Sequence, residues 1–413
     1  MTEPRPHLKP SAIRGPRPMA LHLQNSLTLW QTAPGGLARL GTKNGFWHPA
    51  VAAEAAALAD AFAGLDDTAQ AALQAAVETG AGARAQAFLR GINAYLTHPY
   101  TRPETQASVA LRLGGAELLD YGGDGQPLLM IPSLINPYYI LDLKPGRSLA
   151  AYLKARGFRP FIVNWGEPGA AEQGFETGAY VMERLVPFLR HVAGIAGAPV
   201  PVIGNCMGGT LALALAARAG GHISRLALLA TPWDFADSLP HAGRKYAPML
   251  AEFMTRLPET MPLPVDALQS FFTSVDPSLS SRKFRRFAAM DKTSEAAEFF
   301  VAMETWANTG APLARPVAEE CLVGWYRNNK PGRIEWQVDG RTVNPADITC
   351  PVWVAGPTED RLVPQASAFG ILKHLKNAES HAPGAGHVGM LVGSKAESGL
   401  WAPLHAWLLR EGS

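Results

Sequence analysis

Apolar positions along this chain follow two regimes. Through residues 51–95 they recur at three- and four-residue spacing in an alanine-rich background, and beyond residue 108 they gather into short runs between glycine- and proline-marked turns. The first regime is that of amphipathic helices. It predicts one helix from Val51 to Phe62, a second capped by Asp66 or Asp67 and running through Leu73, and a third over 86–96. The second regime opens with the alternation Val109-Ala110-Leu111-Arg112-Leu113, which predicts a half-buried strand with 117–121 as its partner. Leu128-Leu129-Met130-Ile131 has no polar face, as a central parallel strand requires. A helix over 148–156, a strand over 161–164, a helix over 180–192, strands at 200–203 and 225–230 and another at 351–356 complete the reading. This strand–helix alternation predicts an α/β protein with a mostly parallel, doubly wound sheet.

The alternation breaks at Thr231-Pro232-Trp233-Asp234, and an aromatic-rich stretch with Trp306, Trp325, Tyr326 and Trp336 follows. We read about 232–347 as an irregular cap inserted before the last strands, 1–45 as an irregular tail, 46–107 as a helical N-terminal region and 108–413 as the α/β domain. No internal repeat is visible.

The segment richest in chemistry is Gly204-Asn205-Cys206-Met207-Gly208-Gly209. It lies between the apolar run Val200-Pro201-Val202-Ile203 and the helix-forming Thr210-Leu211-Ala212-Leu213. That is the layout of a nucleophile elbow, G-x-S-x-G, with cysteine in the serine position. Strand and helix meet so closely there that a Cβ at Gly204 or Gly208 would clash, and the helix N-terminus beneath the sulfur favours a thiolate. A buried cysteine packed as a small hydrophobe is the alternative. Near the C-terminus, Asp360 sits in the loop after the strand Pro351-Val352-Trp353-Val354-Ala355, and His387 in the loop Gly384-Ala385-Gly386-His387-Val388-Gly389. Cys206, Asp360, His387 is the nucleophile–acid–base order of the α/β-hydrolase fold. The oxyanion donors expected with it are the N–H of Met207 and one from the loop after the third strand, Ser133 or Leu134. Asp234 also follows a core strand, but its setting is that of a turn former. Ser133 lacks an elbow, and so do Cys321 and Cys350, which read as buried small side chains. His374 and His381 are expected at the surface.

A formal charge of +2 from 37 basic and 35 acidic residues gives no electrostatic reason to expect nucleic acid. Arg5, Lys9, Arg14 and Arg17 cluster in a proline-containing first segment without the apolar core of a secretory signal. No apolar run reaches the roughly 20 residues of a membrane span. Three cysteines in 413 residues fit a reducing, cytoplasmic setting better than a disulfide scaffold. No metal-ligand spacing, phosphate loop or dinucleotide fingerprint is present, so no cofactor is expected.

Five separated motifs resemble those of the polyhydroxyalkanoate synthase family. The elbow Gly204-Asn205-Cys206-Met207-Gly208-Gly209-Thr210 is similar to its G-x-C-x-G-G-T box. Pro132-Ser133-Leu134-Ile135-Asn136-Pro137-Tyr138-Tyr139-Ile140-Leu141-Asp142-Leu143 is similar to P-x-x-I-N-K-x-Y-I-L-D-L. Asn164-Trp165-Gly166-Glu167-Pro168 is similar to the W-x-x-P stretch, Asp360-Arg361-Leu362-Val363-Pro364 to D-x-x-V-P, and Gly386-His387-Val388-Gly389 to G-H-I-G. Pro137 and Arg361 depart from the family's usual lysine and histidine. The resemblance implies a capped α/β-hydrolase fold and an acyltransferase that polymerises (R)-3-hydroxyacyl-CoA thioesters through an acyl group on Cys206, with His387 as base and Asp360 orienting it. It also implies a homodimer, an accessory synthase subunit as a possible partner, and a polyester granule surface. Two other readings stay open: a cysteine hydrolase (polyester depolymerase or thioesterase), and an inactive scaffold binding acyl chains or granules.

Overall fold

The computed structural model describes residues 15–40, 51–237, 241–258 and 260–410. Eight strands form the main sheet: β1 (Ser108–Leu113), β2 (Ala116–Asp120), β3 (Gln126–Ile131), β4 (Phe158–Asn164), β5 (Val200–Asn205), β6 (Ile223–Leu229), β7 (Val352–Ala355) and β8 (Ala378–His381). Their order is β1-β2-β4-β3-β5-β6-β7-β8. The hairpin β1–β2 is antiparallel and β2 runs antiparallel to β4, while every pairing from β4 to β8 is parallel. The expected fold class is the one observed. Strands β5 and β7 are buried at every position, which is why they read as unbroken apolar runs.

Chain order is doubled back at β3: the chain leaves β3, forms β4 on one side, then returns to lay β5 on the other. Loops after β3 and β5 therefore diverge at the carboxyl ends of adjacent strands, the crevice where open α/β sheets bind ligands. The helix Met207–Ala219 after β5 is buried from Met207 through Ala216, so its sequence is apolar on all sides instead of amphipathic.

The stretch after β6 is helical, not irregular as the aromatic composition suggested. It contains the helices His241–Thr255, Val265–Val275, Leu279–Ala288, Glu295–Asn308 and Arg315–Glu319, then a π-helical segment Glu320–Arg327.

The described residues divide into two compact units, one drawn from 101–237, 241–258, 260–275 and 305–410, the other from 15–40, 51–100 and 276–304. The second unit packs Phe88, Ile92, Tyr95, Phe284, Phe287, Ala297 and Val301 into its own core. Gly91 allows its helices to cross closely, since a Cβ there would stand 2.6 Å from the carbonyl carbon of Phe284. Three features of this unit differ from the sequence reading. Met19–Leu40 is a helix within the expected irregular tail. Asp67–Leu96 is one continuous helix where a break was expected after Leu73, capped by Asp66, whose carboxylate accepts the Ala69 N–H. Residues 276–304, assigned to the cap, pack instead with the N-terminal helices, because Phe284 and Phe287 complete their apolar face. Arg5, Lys9 and Arg14 lie outside the described residues.

Candidate active site

Cys206 stands where β5 ends and the helix Met207–Ala219 begins, with φ +52° and ψ −128°. A non-glycine residue in that region is strained and persists only where its surroundings over-determine it. The surroundings do so here. The Cys206 N–H donates to the Leu229 carbonyl at 2.8 Å, and its own carbonyl accepts from the Gly209 N–H at 2.9 Å. A Cβ on Gly204 would stand 2.5 Å from the Cα of Gly209, and one on Gly208 would overlap the Ile131 and Pro132 carbonyl oxygens. Gly209, whose role the sequence reading did not specify, is equally constrained: its Cβ would overlap the Thr231 side chain, with 2.8 Å to the Thr231 Cβ.

The loops after β7 and β8 continue the ladder of their strands. Gly356 donates to His381 at 2.9 Å, Thr358 to Pro383 at 3.0 Å, and Glu359 to Ala385 at 3.0 Å. This zipper delivers Asp360 and His387 side by side, with Asp360 Oδ2 accepting from His387 Nδ1 at 2.6 Å. Asp360 Oδ1 accepts the N–H groups of Leu362 (2.8 Å) and Val363 (2.9 Å). The carboxylate is thereby locked in one orientation, its side chain 0 % exposed against 13 % for His387. With Nδ1 engaged by Asp360, Nε2 is the ring nitrogen left to serve Cys206. Burial alone would lower the His387 pKa, but the sulfur of Cys206 and the Asp360 carboxylate, with its hydrogen bond to Nδ1, raise it well above the ordinary imidazole value. That is the electrostatics of an imidazole primed to hold a proton between a sulfur and a carboxylate.

The Met207 N–H opens the helix and so has no intrahelical acceptor. Gly208 brings the segment after β3 against this point through Ile131 and Pro132. Trp165 Nε1 donates to the Pro132 carbonyl at 3.0 Å, fixing the start of the loop. Ser133 Oγ accepts the Ile135 N–H at 3.2 Å, a turn-forming role, and Leu134 is buried. Beyond it, Asn136 Nδ2 donates to the Ala307 carbonyl at 3.3 Å and Trp306 Nε1 to the Pro137 carbonyl at 2.9 Å, tying the loop to the inserted segment. A recess of about 260 Å³, mouth included, lies against Leu134 and is walled by Trp165, Pro168, Tyr180, Leu313 and Val317.

Asp234 is a structural residue. Its Oδ1 accepts from Ala236 N (3.1 Å) and Asn329 Nδ2 (2.8 Å), while Asn329 Oδ1 accepts the Phe235 N–H at 2.8 Å. Cys321 is buried as expected, which pushes its thiol well up, whereas Cys350 is only half-buried, though its partial burial still pushes its thiol up to about 11. His374 and His381 are half-buried, not on the surface; His381 belongs to β8 and stacks on Trp353 at 5.0 Å. The sequence reading gave Tyr326 no role at the site. It lies within electrostatic reach of Cys206 and meets Phe235 and Phe271 edge-on at 5.1 and 5.4 Å. The signal available for it was the adjacent aromatic pair Trp325-Tyr326, read only as part of the aromatic-rich cap. Among the described residues no group of three or more His, Cys, Asp or Glu side chains could hold a metal ion, and no helix is long and apolar enough to cross a membrane.

Residues 126–394 match the α/β-hydrolase fold family. The chain is 28% identical over 294 residues to the poly(3-hydroxyalkanoate) polymerase subunit PhaC of Haloferax mediterranei, a match covering 68% of this chain and 58% of that protein. It is 28% identical to the subunit of the same name from Allochromatium vinosum, over 68% of this chain and 80% of that one. Against the Haloferax relative, then, the match spans a little under three fifths of the relative's length. Among solved structures, an esterase from Exiguobacterium antarcticum is 13% identical, with a TM-score of 0.41, covering 71% of this chain and 96% of that one. The chain belongs to the α/β-hydrolase fold family, and the Haloferax and Allochromatium proteins it resembles are poly(3-hydroxyalkanoate) polymerase subunits.

Proposed function

We propose that this protein is an acyltransferase that polymerises (R)-3-hydroxyacyl-CoA thioesters. The observation that carries the reading is the strained Cys206 at the elbow together with an imidazole whose Nδ1 is held by a buried carboxylate and whose pKa the Cys206 sulfur helps to raise. The thiolate of Cys206 attacks the thioester carbonyl carbon, and the developing oxyanion is met by the Met207 N–H and an N–H of the loop after β3, from Ser133 or Leu134. The carbon–sulfur bond to CoA breaks, and the imidazolium of His387 gives its proton to the departing thiolate. The acyl group stays activated, because one thioester has replaced another at little energetic cost. His387, now neutral, takes the proton of an incoming 3-hydroxyl, whose oxygen attacks the acyl carbon and regenerates the Cys206 thiolate. Asp360 orients His387 throughout and balances its charge. CoA enters as part of the substrate, and the cycle needs no cofactor. A polyester surface, a homodimer and an accessory subunit are the partners this reading accommodates.

A cysteine hydrolase would share every step up to the second attack. The test is the fate of the acyl group when purified protein meets (R)-3-hydroxybutyryl-CoA, with Cys206→Ala in parallel. Insoluble polyester from the wild type and none from the variant supports the synthase. Free 3-hydroxybutyrate reassigns the protein as a hydrolase, and full activity in the variant overturns the role of Cys206.

A further inference from the structure

Resting on that reading, we infer that Trp306 and Asn136 are positioning residues: they strap the loop after β3 to the inserted segment and so hold its N–H groups where the oxyanion of acyl transfer forms.

The loop has two N–H groups to offer. Among the described residues neither the Ser133 N–H nor the Leu134 N–H has an acceptor, while the next one, of Ile135, is turned onto Ser133 Oγ at 3.2 Å. At its start the loop is fixed against the elbow. Trp165 Nε1 holds the Pro132 carbonyl at 3.0 Å, and a Cβ on Gly208 would stand 2.6 Å from the carbon of that carbonyl. Beyond Pro132, packing alone does not set the backbone. The recess walled by Trp165, Leu313 and Val317 lies against Leu134, which leaves that side chain room to shift.

Hydrogen bonds to the inserted segment take over, one at each of three successive residues. The Ala311 N–H donates to the Ile135 carbonyl at 3.3 Å, Asn136 Nδ2 to the Ala307 carbonyl at 3.3 Å, and Trp306 Nε1 to the Pro137 carbonyl at 2.9 Å. Trp306 and Ala307 lie in the last turn of the helix Glu295–Asn308, where backbone carbonyls have no intrahelical donor. The loop thus caps that helix, and Gln269 Nε2 shares the Ala307 carbonyl at 2.8 Å. Gly310 permits the approach, since a Cβ there would stand 3.2 Å from the Ile135 carbonyl oxygen. The strap is itself pinned: Leu263 and Leu313, both buried, exchange backbone hydrogen bonds of 2.8 and 3.1 Å. Pro137, with φ −58°, closes the strapped stretch with a residue whose ring allows little rotation.

An oxyanion donor is effective because it is in place before the charge develops. The strap therefore acts on the rate of the bound thioester and not on its capture.

Two reactions of Cys206 separate this role from general packing. Acylation by (R)-3-hydroxybutyryl-CoA, read as the first-turnover burst of CoA, passes through an oxyanion. Alkylation by iodoacetamide, read on the Cys206 peptide, does not: the sulfur attacks a methylene carbon and iodide leaves. Trp306→Phe, which keeps an aromatic ring, and Asn136→Ala should each slow the burst at saturating thioester roughly ten- to hundredfold. The half-saturating concentration and the alkylation rate should stay within about threefold of wild type. A change in alkylation as large as that in acylation, or no change in either, overturns the inference and leaves the acyltransferase reading intact. Wild-type protein that is alkylated yet gives no burst overturns both.

Discussion

Gly208→Ala tests how packing at the elbow is coupled to chemistry. The added methyl carbon would stand 2.6 Å from the Pro132 carbonyl carbon and overlap the carbonyl oxygens of Ile131 and Pro132. Ordinary carbon–carbon contact is about 3.5–4.0 Å, so the elbow and the segment after β3 must separate by roughly 1 Å. Neither side yields readily. Ile131 is 0 % exposed and pairs with Gly204 across β3 and β5, and the Pro132 carbonyl is held by Trp165 Nε1 at 3.0 Å. Overpacking of this kind costs about 1–3 kcal/mol, and we expect the upper end because the obstacle is backbone. At about 2–4 °C per kcal/mol for domains of 150–250 residues, the melting temperature should fall by roughly 4–12 °C. Activity should suffer more. The displaced pair is the Met207 N–H and the loop after β3, and losing one oxyanion donor costs about 10²–10³ in rate. The assay is the acylation burst with (R)-3-hydroxybutyryl-CoA beside a thermal scan. Gly209→Ala is the control, since it meets a side chain: Thr231→Ala removes two of the three overlapping Thr231 atoms and should restore part of the loss. Gly208→Ala that melts with wild type and acylates within threefold of it would refute the reasoning.

Two further outcomes follow from charge. Asp360→Asn leaves His387 held up by Cys206 alone, so NMR titration of the imidazole should give a lower pKa than in wild type, with a rate loss of about 10²–10⁴. A raised folded pKa stabilises fully below the unfolded value and less as pH rises through it. The wild-type advantage in melting temperature should therefore be largest below about pH 6.5 and shrink above it; an advantage growing with pH would contradict this. Glu172 accepts from Arg184 Nη2 at 2.6 Å and from Gly115 N at 3.0 Å. Burial opposes ionisation there, yet Arg184 and the Gly115 N–H hold the carboxyl below its ordinary range. Glu172→Gln should cost about 3 kcal/mol at neutral pH by breaking the buried ion pair and leaving Arg184 only the exposed carboxylate of Glu183 at 3.9 Å. The deficit should narrow in thermal scans as pH falls below the ordinary carboxyl value, where wild type loses the same interaction.

The central strands were legible because buried parallel strands exclude polar residues whatever packs on them, and Leu128 to Ile131 could be little else; β8, whose Ala378-Glu379-Ser380-His381 is half-exposed and polar at the sheet edge, gave no such signal. The break after Leu73 was misread from local composition, since Gly80, Gly82 and Gly91 weaken helix propensity within what is one helix, Asp67–Leu96. At Gly91 the glycine serves a crossing with Phe284, a contact local propensity cannot see. The inserted stretch looked irregular because its aromatic residues are spent on tertiary contacts, with Phe235, Phe271, Trp325 and Tyr326 packing on one another across separate elements.

For the candidate site, sequence alone determined the elbow and the order Cys206, Asp360, His387, because a strained turn tolerates few residue types and the fold fixes chain order. What only the tertiary structure decided is distance and partnership: Asp360 reaches His387 because two loops extend the β7–β8 ladder, Asp234 is spent on Asn329, and Tyr326 in a π-helical segment packs edge-on against Phe235 and Phe271. These depend on registers and crossings between residues as far apart as Asp234 and Asn329, which spacing along the chain does not encode.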